Sequence, residues 1–148
     1  MYELIKFLHL TGGVLWLGGM AFVLWALRPV AIAQLTPPHR LPLLAAVLGR
    51  FFTVVWLSIA ALLATGAAML AGADMQMIPR GWHVMLGLGL LMCAIFAHLY
   101  FAPFRRLKTA VAEGNWPEAA RRLGQIHPLV ILNFTLGWLA VAAVLLLR

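Results

Sequence analysis

Four histidines lie within or at the ends of long apolar segments, where an ionisable side chain is costly and by default suggests a function. His9 lies early in the first segment, His83 opens the third, His98 lies near its end, and His127 begins the fourth. Imidazole is the commonest metal-ligating side chain in proteins. These residues are therefore the first candidates for a metal or haem site, whereas His39 belongs to a proline-rich connection and is expected to be ordinary.

The residues that share a helical face with His9 leave space beside its imidazole. At spacings of three, four and seven residues, this face carries Gly12, Gly13 and Trp16. A planar macrocycle such as haem needs an axial ligand and room for its ring, and glycines supply that room. The alternative explanation for the glycines is the close packing of membrane helices. With His83 on a second helix, the pattern favours haem.

The elements that must position these residues are membrane-spanning helices. Of the 148 residues, 64% are hydrophobic and 10% are charged, whereas a soluble domain has about 25% charged residues. About 20 apolar residues cross the hydrocarbon core, and continuous apolar runs of that length are helices. The expected spans are residues 7–27, 51–72, 82–102 and 128–147. The sequence therefore predicts an all-α, four-transmembrane-helix bundle that forms one integral membrane domain over residues 1–148.

The first apolar segment has an alternative interpretation as a secretory signal peptide, with residues 31–33 resembling a cleavage site. The segment is longer than the roughly 7–15 apolar residues typical of such peptides. Glu3 also reduces the positive charge at its start. These features favour an uncleaved transmembrane helix.

Basic residues are concentrated in two of the three connections. The first and third connections contain eight Lys and Arg residues, and the second contains only Arg80. The positive-inside rule therefore predicts a multi-pass protein of the bacterial inner membrane with both termini in the periplasm. Residues 28–42 contain four prolines and are expected to form a turn-rich loop leading into a helix near Leu41. Residues 103–125 are expected to form two helical pieces, with Gly114 ending the first and Asn115 capping the second.

This topology sorts the four histidines by depth. Helices one and three run in the same direction, so His9 and His83 both fall near the outer surface. His98 lies 15 residues beyond His83, about 22 Å deeper at 1.5 Å per residue, where His127 begins the fourth span. The sequence thus predicts an outer pair, His9 with His83, for one haem, and an inner pair, His98 with His127, as an option for a second.

Short motifs in the first and third spans carry a resemblance to known families. They are Lys6-Phe-Leu-His9 followed by Trp16 and Gly19, and Gly81-Trp82-His83-Val-Met85. With these motifs the chain resembles the copper-resistance D (CopD) superfamily. It is also similar to the HemJ-type protoporphyrinogen oxidases, which are four-helix membrane proteins. The resemblance covers nearly the whole chain and includes Asn133 in the fourth span.

The HemJ-type resemblance implies a haem b site at His9. In that family the first-helix histidine binds haem b, and the third helix carries Trp-x-His-x-Lys with an essential lysine. Here Trp82 directly precedes His83, and Met85 stands at the lysine position. This departure argues against protoporphyrinogen oxidation and leaves the enzymatic status of the chain open. Because a thioether is also an axial ligand of haem iron, Met85 is the alternative partner of His9.

The CopD resemblance implies a different function, the binding or transport of Cu(I) across the inner membrane. Met75 and Met77 form an M-x-M motif in the second connection, and Met69 lies shortly before it. Thioether ligands select Cu(I). The alternative is that these methionines only fill space in a membrane bundle.

Other chemistry has little support in the sequence. The only cysteine, Cys93, is expected to pack inside the third span, and the four acidic residues lie near loops or ends. The net charge of +7 is explained by the topology and by anionic lipid headgroups, so no nucleic-acid partner is expected. The sequence predicts a haem b protein of membrane electron transfer or a related redox step, with Cu(I) as the alternative. A quinone or a redox protein is the expected partner besides the bilayer, and the oligomeric state is open.

Overall fold

The computed structural model describes residues 1–71, 73 and 77–147, and its regular structure there is helical. Four long helices cross the molecule: α1, Tyr2–Gln34; α2, Pro37–Leu70; α3, Arg80–Ala112; and α4, Trp116–Leu146. Each helix is long and apolar enough to span a membrane. The predicted all-α fold with four transmembrane helices is confirmed.

The connection between α1 and α2 is a tight turn, and the prediction of a turn-rich loop over residues 28–42 was wrong. The first helix continues to Gln34, and only Leu35 and Thr36 have extended backbone before α2 begins at Pro37. The first N–H groups of a helix have no intrahelical acceptor, so proline costs no hydrogen bond there. Pro37 and Pro38 therefore begin α2, and the other two prolines, Pro29 and Pro42, lie inside α1 and α2.

The turn between α3 and α4 agrees with the sequence prediction. Gly114 follows the last turn of α3 with a φ of +67°, a left-handed conformation that glycine adopts without steric cost. The Asn115 side chain accepts a hydrogen bond from the Glu118 N–H at 3.2 Å. The Glu118 carboxylate in turn binds the guanidinium groups of Arg121 and Arg122 at 2.8 and 2.6 Å. The two predicted helical pieces are the ends of the long helices α3 and α4.

A π-helical turn interrupts each of α1 and α3, at Val23–Leu27 and Tyr100–Phe104. Pro29 follows the first of these turns, and Pro103 lies inside the second. Proline has no N–H, and its ring clashes with the carbonyl group four residues earlier. A wider turn accommodates both effects, and it rotates the residues that follow about the helix axis.

The helices pack as two antiparallel hairpins, α1 with α2 and α3 with α4. Aromatic side chains fill the space between the hairpins: Trp16, Phe52, Trp56, Phe96, Tyr100 and Phe104. The rings of Phe52 and Phe96 meet edge to face with centroids 5.4 Å apart, a favourable geometry for aromatic pairs. The helices α1 and α3 meet near the middle of the bundle, where Trp16 contacts Phe96 with centroids 6.0 Å apart.

Glycines allow close approach where α1 meets its neighbours. A Cβ atom at Gly19 would collide with the ring of Phe51 on α2, and one at Gly137 of α4 would collide with the Leu17 side chain. Small residues at such contacts let membrane helices pack closely. The first helix is therefore fixed against both α2 and α4.

The outward faces of the helices are apolar, with exposed side chains such as Leu57 and Trp138. Such a surface fits the hydrocarbon core of a bilayer, and the chain is a multi-pass membrane protein. We call the end of the bundle with the turns at residues 35–36 and 113–115 the hairpin side. The opposite end, the terminus side, carries both chain ends and the connection after α2.

Candidate metal site

His9 is held in place by a side chain of the neighbouring helix. Antiparallel packing of α1 on α2 brings it to the level of Thr65, near the terminus side. The Nδ1 atom of His9 lies 2.9 Å from Oγ1 of Thr65. Thr65 is buried and His9 is half-buried, so the imidazole lies at the edge of the helix interface.

The hydroxyl of Thr65 favours the tautomer of His9 with its proton on Nδ1. This hydroxyl is in position to donate to the backbone carbonyl of Ala61, four residues earlier in α2. Because its single proton is used there, the hydroxyl oxygen accepts from the Nδ1–H of His9. A neutral imidazole then has its lone pair on Nε2. Metal-ligating histidines are commonly oriented in this way, with the other N–H donated to a protein oxygen.

Two of the predicted residues on the His9 face serve helix packing. A Cβ atom at Gly12 would lie 3.1 Å from Cγ of Leu62 and 3.2 Å from the backbone oxygen of Ser58. Trp16 is only 4% exposed and lies in the aromatic core. The surfaces of Gly12 and Trp16 are therefore covered by other helices, which leaves no room there for a haem ring.

Open space remains at Gly13. A Cβ atom there would have no neighbour within 4 Å, while one at Gly66 of α2 would lie 3.6 Å from Cε1 of His9. Gly66 thus gives the imidazole room to lie against α2. Of the three residues predicted to flank the His9 ligand, Gly13 alone borders free space.

His83 and Met85 lie at the start of α3, apart from the Thr65 contact of His9. The N–H of Gly81 donates to the carbonyl of Leu147 at 3.0 Å, and a Cβ atom at Gly81 would collide with the carbonyl oxygen of Ala143. This contact anchors the start of α3 to the end of α4. The His83 side chain is exposed, and that of Met85 is half-buried. The structure thus turns His9 toward Thr65 and leaves His83 exposed, and the pairing of His9 with His83 or Met85 at a haem stays a prediction.

His98 and His127 lie in different surroundings. His98 is exposed on α3, whereas His127 lines a cavity together with residues of α1 and α2, among them Arg28 and Leu48. No residue of α3 lines that cavity. The pairing of His98 with His127 at a second haem stays a prediction.

The methionines differ in burial and in their place along the chain. Met69 is half-buried and lies one turn beyond Thr65 on the same face of α2, toward the terminus side. Met77 is 81% exposed. Met75, the other residue of the predicted M-x-M motif, lies outside the described residues.

Neither of the two cavities described inside the bundle is large enough for a haem. Their volumes are about 10 and 20 Å³, whereas pockets for small molecules are roughly 300–1,000 Å³. Within residues 1–71, 73 and 77–147 there is also no group of three or more His, Cys, Asp or Glu residues that could hold a metal ion. A metal site at His9 therefore needs methionine sulfur or other ligands besides His, Cys, Asp and Glu side chains.

Sequence reasoning missed two residues that the structure brings next to the candidate histidines. Thr65 is one of three hydroxyl-bearing residues in the second apolar span, with Thr53 and Ser58, and this polarity was a usable signal. Arg28 was counted only for topology, although it lies beside His127 in the structure. Neither pairing follows from spacing along one helix, because both join residues of different helices.

These features define a class, a multi-pass helical membrane protein with one oriented histidine near an end of the bundle. Comparison with known proteins gives the family. The chain matches the family model of copper resistance protein D (CopD) over residues 45–147, more than half of its length, and it belongs to the CopD family. The matched region contains Thr65 and His83, and His9 precedes it.

No curated protein and no solved structure matches the chain significantly. The similarity to HemJ-type oxidases is not confirmed by these comparisons.

Proposed function

We propose that this protein binds Cu(I) at the terminus side of its bundle, with Nε2 of His9 as a ligand, and takes part in copper movement across the membrane. The observation that carries the proposal is the hydrogen bond from His9 to Thr65. It supports a neutral imidazole whose lone pair is available to a metal. Membership of the CopD family supports copper as that metal.

A sulfur donor for the same ion is available on α2. Met69 follows Thr65 by one turn on the same face, so its flexible thioether is placed to approach the metal beside His9. Thioether ligands favour Cu(I), and imidazole suits copper as well. The exposed Met77 supplies a second thioether in the connection that follows, where an incoming ion first meets the protein.

The closed interior supports a gated passage in place of an open pore. The cavity of about 10 Å³ at the bundle centre is lined by aromatic and aliphatic residues together with Met20 and Asn133. Met20 offers a thioether, and the Oδ1 atom of Asn133 is buried without a hydrogen-bond partner among the described residues. We propose that an ion from the His9 site moves past this point only when the helices separate.

Haem b with His9 as its one protein ligand is the second candidate. The observation that favours it is the open space at Gly13, one turn from His9. Such a haem would lie against the outward surface of α1, because the cavities described inside the bundle are too small. When bound, haem would supply one-electron redox chemistry, and a quinone or a redox protein would be its natural partner.

A competition assay in detergent tests the copper proposal. Purified protein is titrated with Cu(I) against a chromogenic Cu(I) chelator, and retained copper is measured for the native chain, His9→Ala and His39→Ala. His39 is a matched control because it also bonds a threonine hydroxyl, at 3.0 Å from Thr36, but is exposed in the hairpin turn. Loss of retention in His9→Ala alone supports the proposal.

An absorption spectrum of the same preparations separates the two candidates. A Soret band that is lost in His9→Ala, with no copper retained by the native chain, would replace copper by haem. If His83→Ala lost the band as well, His9 and His83 would both be ligands of the haem. Equal copper retention by the native chain, His9→Ala and His39→Ala would refute the role of His9 as a copper ligand.

A further inference from the structure

A small cavity on the hairpin side brings two basic side chains together between α1, α2 and α4. Arg28 and His127 line it, and the rest of its lining is aliphatic: Val23, Leu24, Leu44, Leu48, Leu123, Ile126 and Val130. Its volume is about 20 Å³, enough for one water-sized atom. We propose that this cavity receives a phosphate oxygen of a membrane lipid, with Arg28 and His127 as the binding groups.

Arg28 is a cation that lacks a counter-ion in the described part of the chain. Its Nε atom is buried with no hydrogen-bond partner among the described residues. The ion pairs found there join Glu3 with Lys6 and Glu118 with Arg121 and Arg122, and none includes Arg28. Leaving a donor of a charged group buried and unpaired is costly. An anion in the cavity would remove this cost.

The backbone explains how Arg28 comes to face the cavity. It directly follows the π-helical turn Val23–Leu27, and its N–H bonds to the carbonyl of Val23, five residues earlier. The wider turn rotates the next residues relative to a regular helix. Arg28 is thereby directed toward α4, where His127 lies. π-Helical turns of this kind are frequent at functional sites.

The chemistry of the cavity selects a phosphate group attached to apolar chains. Arginine presents several N–H donors that match phosphate oxygens, and a histidine N–H adds another. The cavity is too small for a whole phosphate, so one oxygen enters and the remainder lies outside, next to the half-buried Arg28 and His127. Basic pockets between transmembrane helices bind lipid headgroups in this way. The aliphatic lining is compatible with acyl chains nearby.

Native mass spectrometry and thermal unfolding of the delipidated full chain in detergent test the proposal. The probes are dioleoylphosphatidylglycerol, dioleoylglycerol, which has no phosphate, and inorganic phosphate. The variants are Arg28→Gln, His127→Gln and the control Arg106→Gln. Arg106 is an exposed arginine of α3, on the same hairpin side of the bundle as the cavity. We expect phosphatidylglycerol to bind about tenfold more weakly to Arg28→Gln, since hydrogen bonds to charged groups are strong. Arg106→Gln should bind it as the native chain does.

The three probes distinguish a lipid phosphate from a free phosphate ion, and two outcomes would overturn the proposal. Protection by phosphatidylglycerol but not by inorganic phosphate supports a lipid headgroup, whereas equal protection by both supports a phosphate site that free anions also use. Equal binding of dioleoylglycerol and phosphatidylglycerol would overturn the proposal. So would unchanged phosphatidylglycerol binding in Arg28→Gln. If that variant does not fold, the same comparison is made with His127→Gln.

Discussion

The Nδ1 atom of His9 on α1 lies 2.9 Å from the Oγ1 atom of Thr65 on α2. The contact joins two helices whose separation is set by Gly12, one turn further along α1, where only a hydrogen fits easily against Leu62 and Ser58. The orientation of the imidazole therefore depends on helix packing as well as on its own hydrogen bond. A shift of α1 against α2 would alter both the tautomer of His9 and the direction of Nε2.

Thr65→Val is expected to weaken Cu(I) binding without removing the ligand. Valine keeps the shape of threonine but accepts no hydrogen bond, so the His9 ring loses its fixed tautomer and orientation. Loss of such a supporting partner costs about 10–100-fold in metal affinity. The measurement is Cu(I) retention against a chelator. Thr36→Val is the matched control, because it removes the corresponding partner of the exposed His39. An equal loss in both variants would contradict the site.

The glycines of α3 provide a prediction about stability. A Cβ atom at Gly81 would collide with the backbone oxygen of Ala143, and backbone cannot move as easily as a side-chain tip. Gly81→Ala should therefore destabilise the protein by about 1–3 kcal/mol, as overpacking does. Gly87→Ala is the control, because a Cβ atom there has no neighbour within 4 Å. Thermal unfolding in detergent measures both, and equal midpoints would contradict the close approach of α3 to α4.

Much of the fold could be predicted from the sequence because hydropathy and turn chemistry act locally. The four spans follow from apolar length, and the Gly114–Asn115 turn follows from a left-handed glycine and a helix cap. The extent of the connection around Leu35 and Thr36 was predicted wrongly, since proline often breaks a helix in its interior but is tolerated in its first turn, where Pro37 and Pro38 lie. Sequence alone does not distinguish these two positions when the helix start is unknown.

The candidate site was harder to predict because it depends on contacts between helices. Depth along the membrane places His9 and His83 at similar levels, but it does not tell which way each side chain faces. In the structure His9 turns to Thr65, whereas His83 is exposed. Helical periodicity places both Gly12 and Gly13 on the His9 face. It likewise could not show that α2 covers Gly12 and leaves Gly13 open. Side-chain direction around a helix is decided by its neighbours, which a single sequence does not reveal.

Asn133 is expected to contribute modestly to the packing of α4 on α3. Its Nδ2 atom donates to the backbone oxygen of Met92 at 3.2 Å, within the buried centre of the bundle. Hydrogen bonds between membrane helices contribute about 0.6 kcal/mol on average and rarely exceed about 1.7. Asn133→Ala should lower the free energy of unfolding by an amount in this range. Thr135→Ala, an exposed position whose hydroxyl bonds within its own helix, should have little effect. Unfolding in mixed micelles measures both.

The orientation of the bundle determines which side of the membrane the proposed copper site at His9 faces. Eight Lys and Arg residues in the first and third connections, against one in the second, predict that the hairpin side faces the cytoplasm. A reporter fused after Arg148 should therefore be periplasmic, and one inserted at Gly114 should be cytoplasmic. The measurement is the activity of paired reporters, one active only in the periplasm and one only in the cytoplasm.

The same pair of fusions tests the direction of the proposed copper path. With the termini in the periplasm, the His9 site receives ions from outside, and the Arg28–His127 cavity meets the lipids of the cytoplasmic leaflet. The opposite result would put His9 near the cytoplasm and make it a site of capture from inside. Exchanging Arg105, Arg106 and Lys108 for glutamine is the internal control, because a topology set by these charges should then become mixed. A topology unchanged by that variant would mean that the remaining basic residues on the hairpin side suffice to fix the orientation.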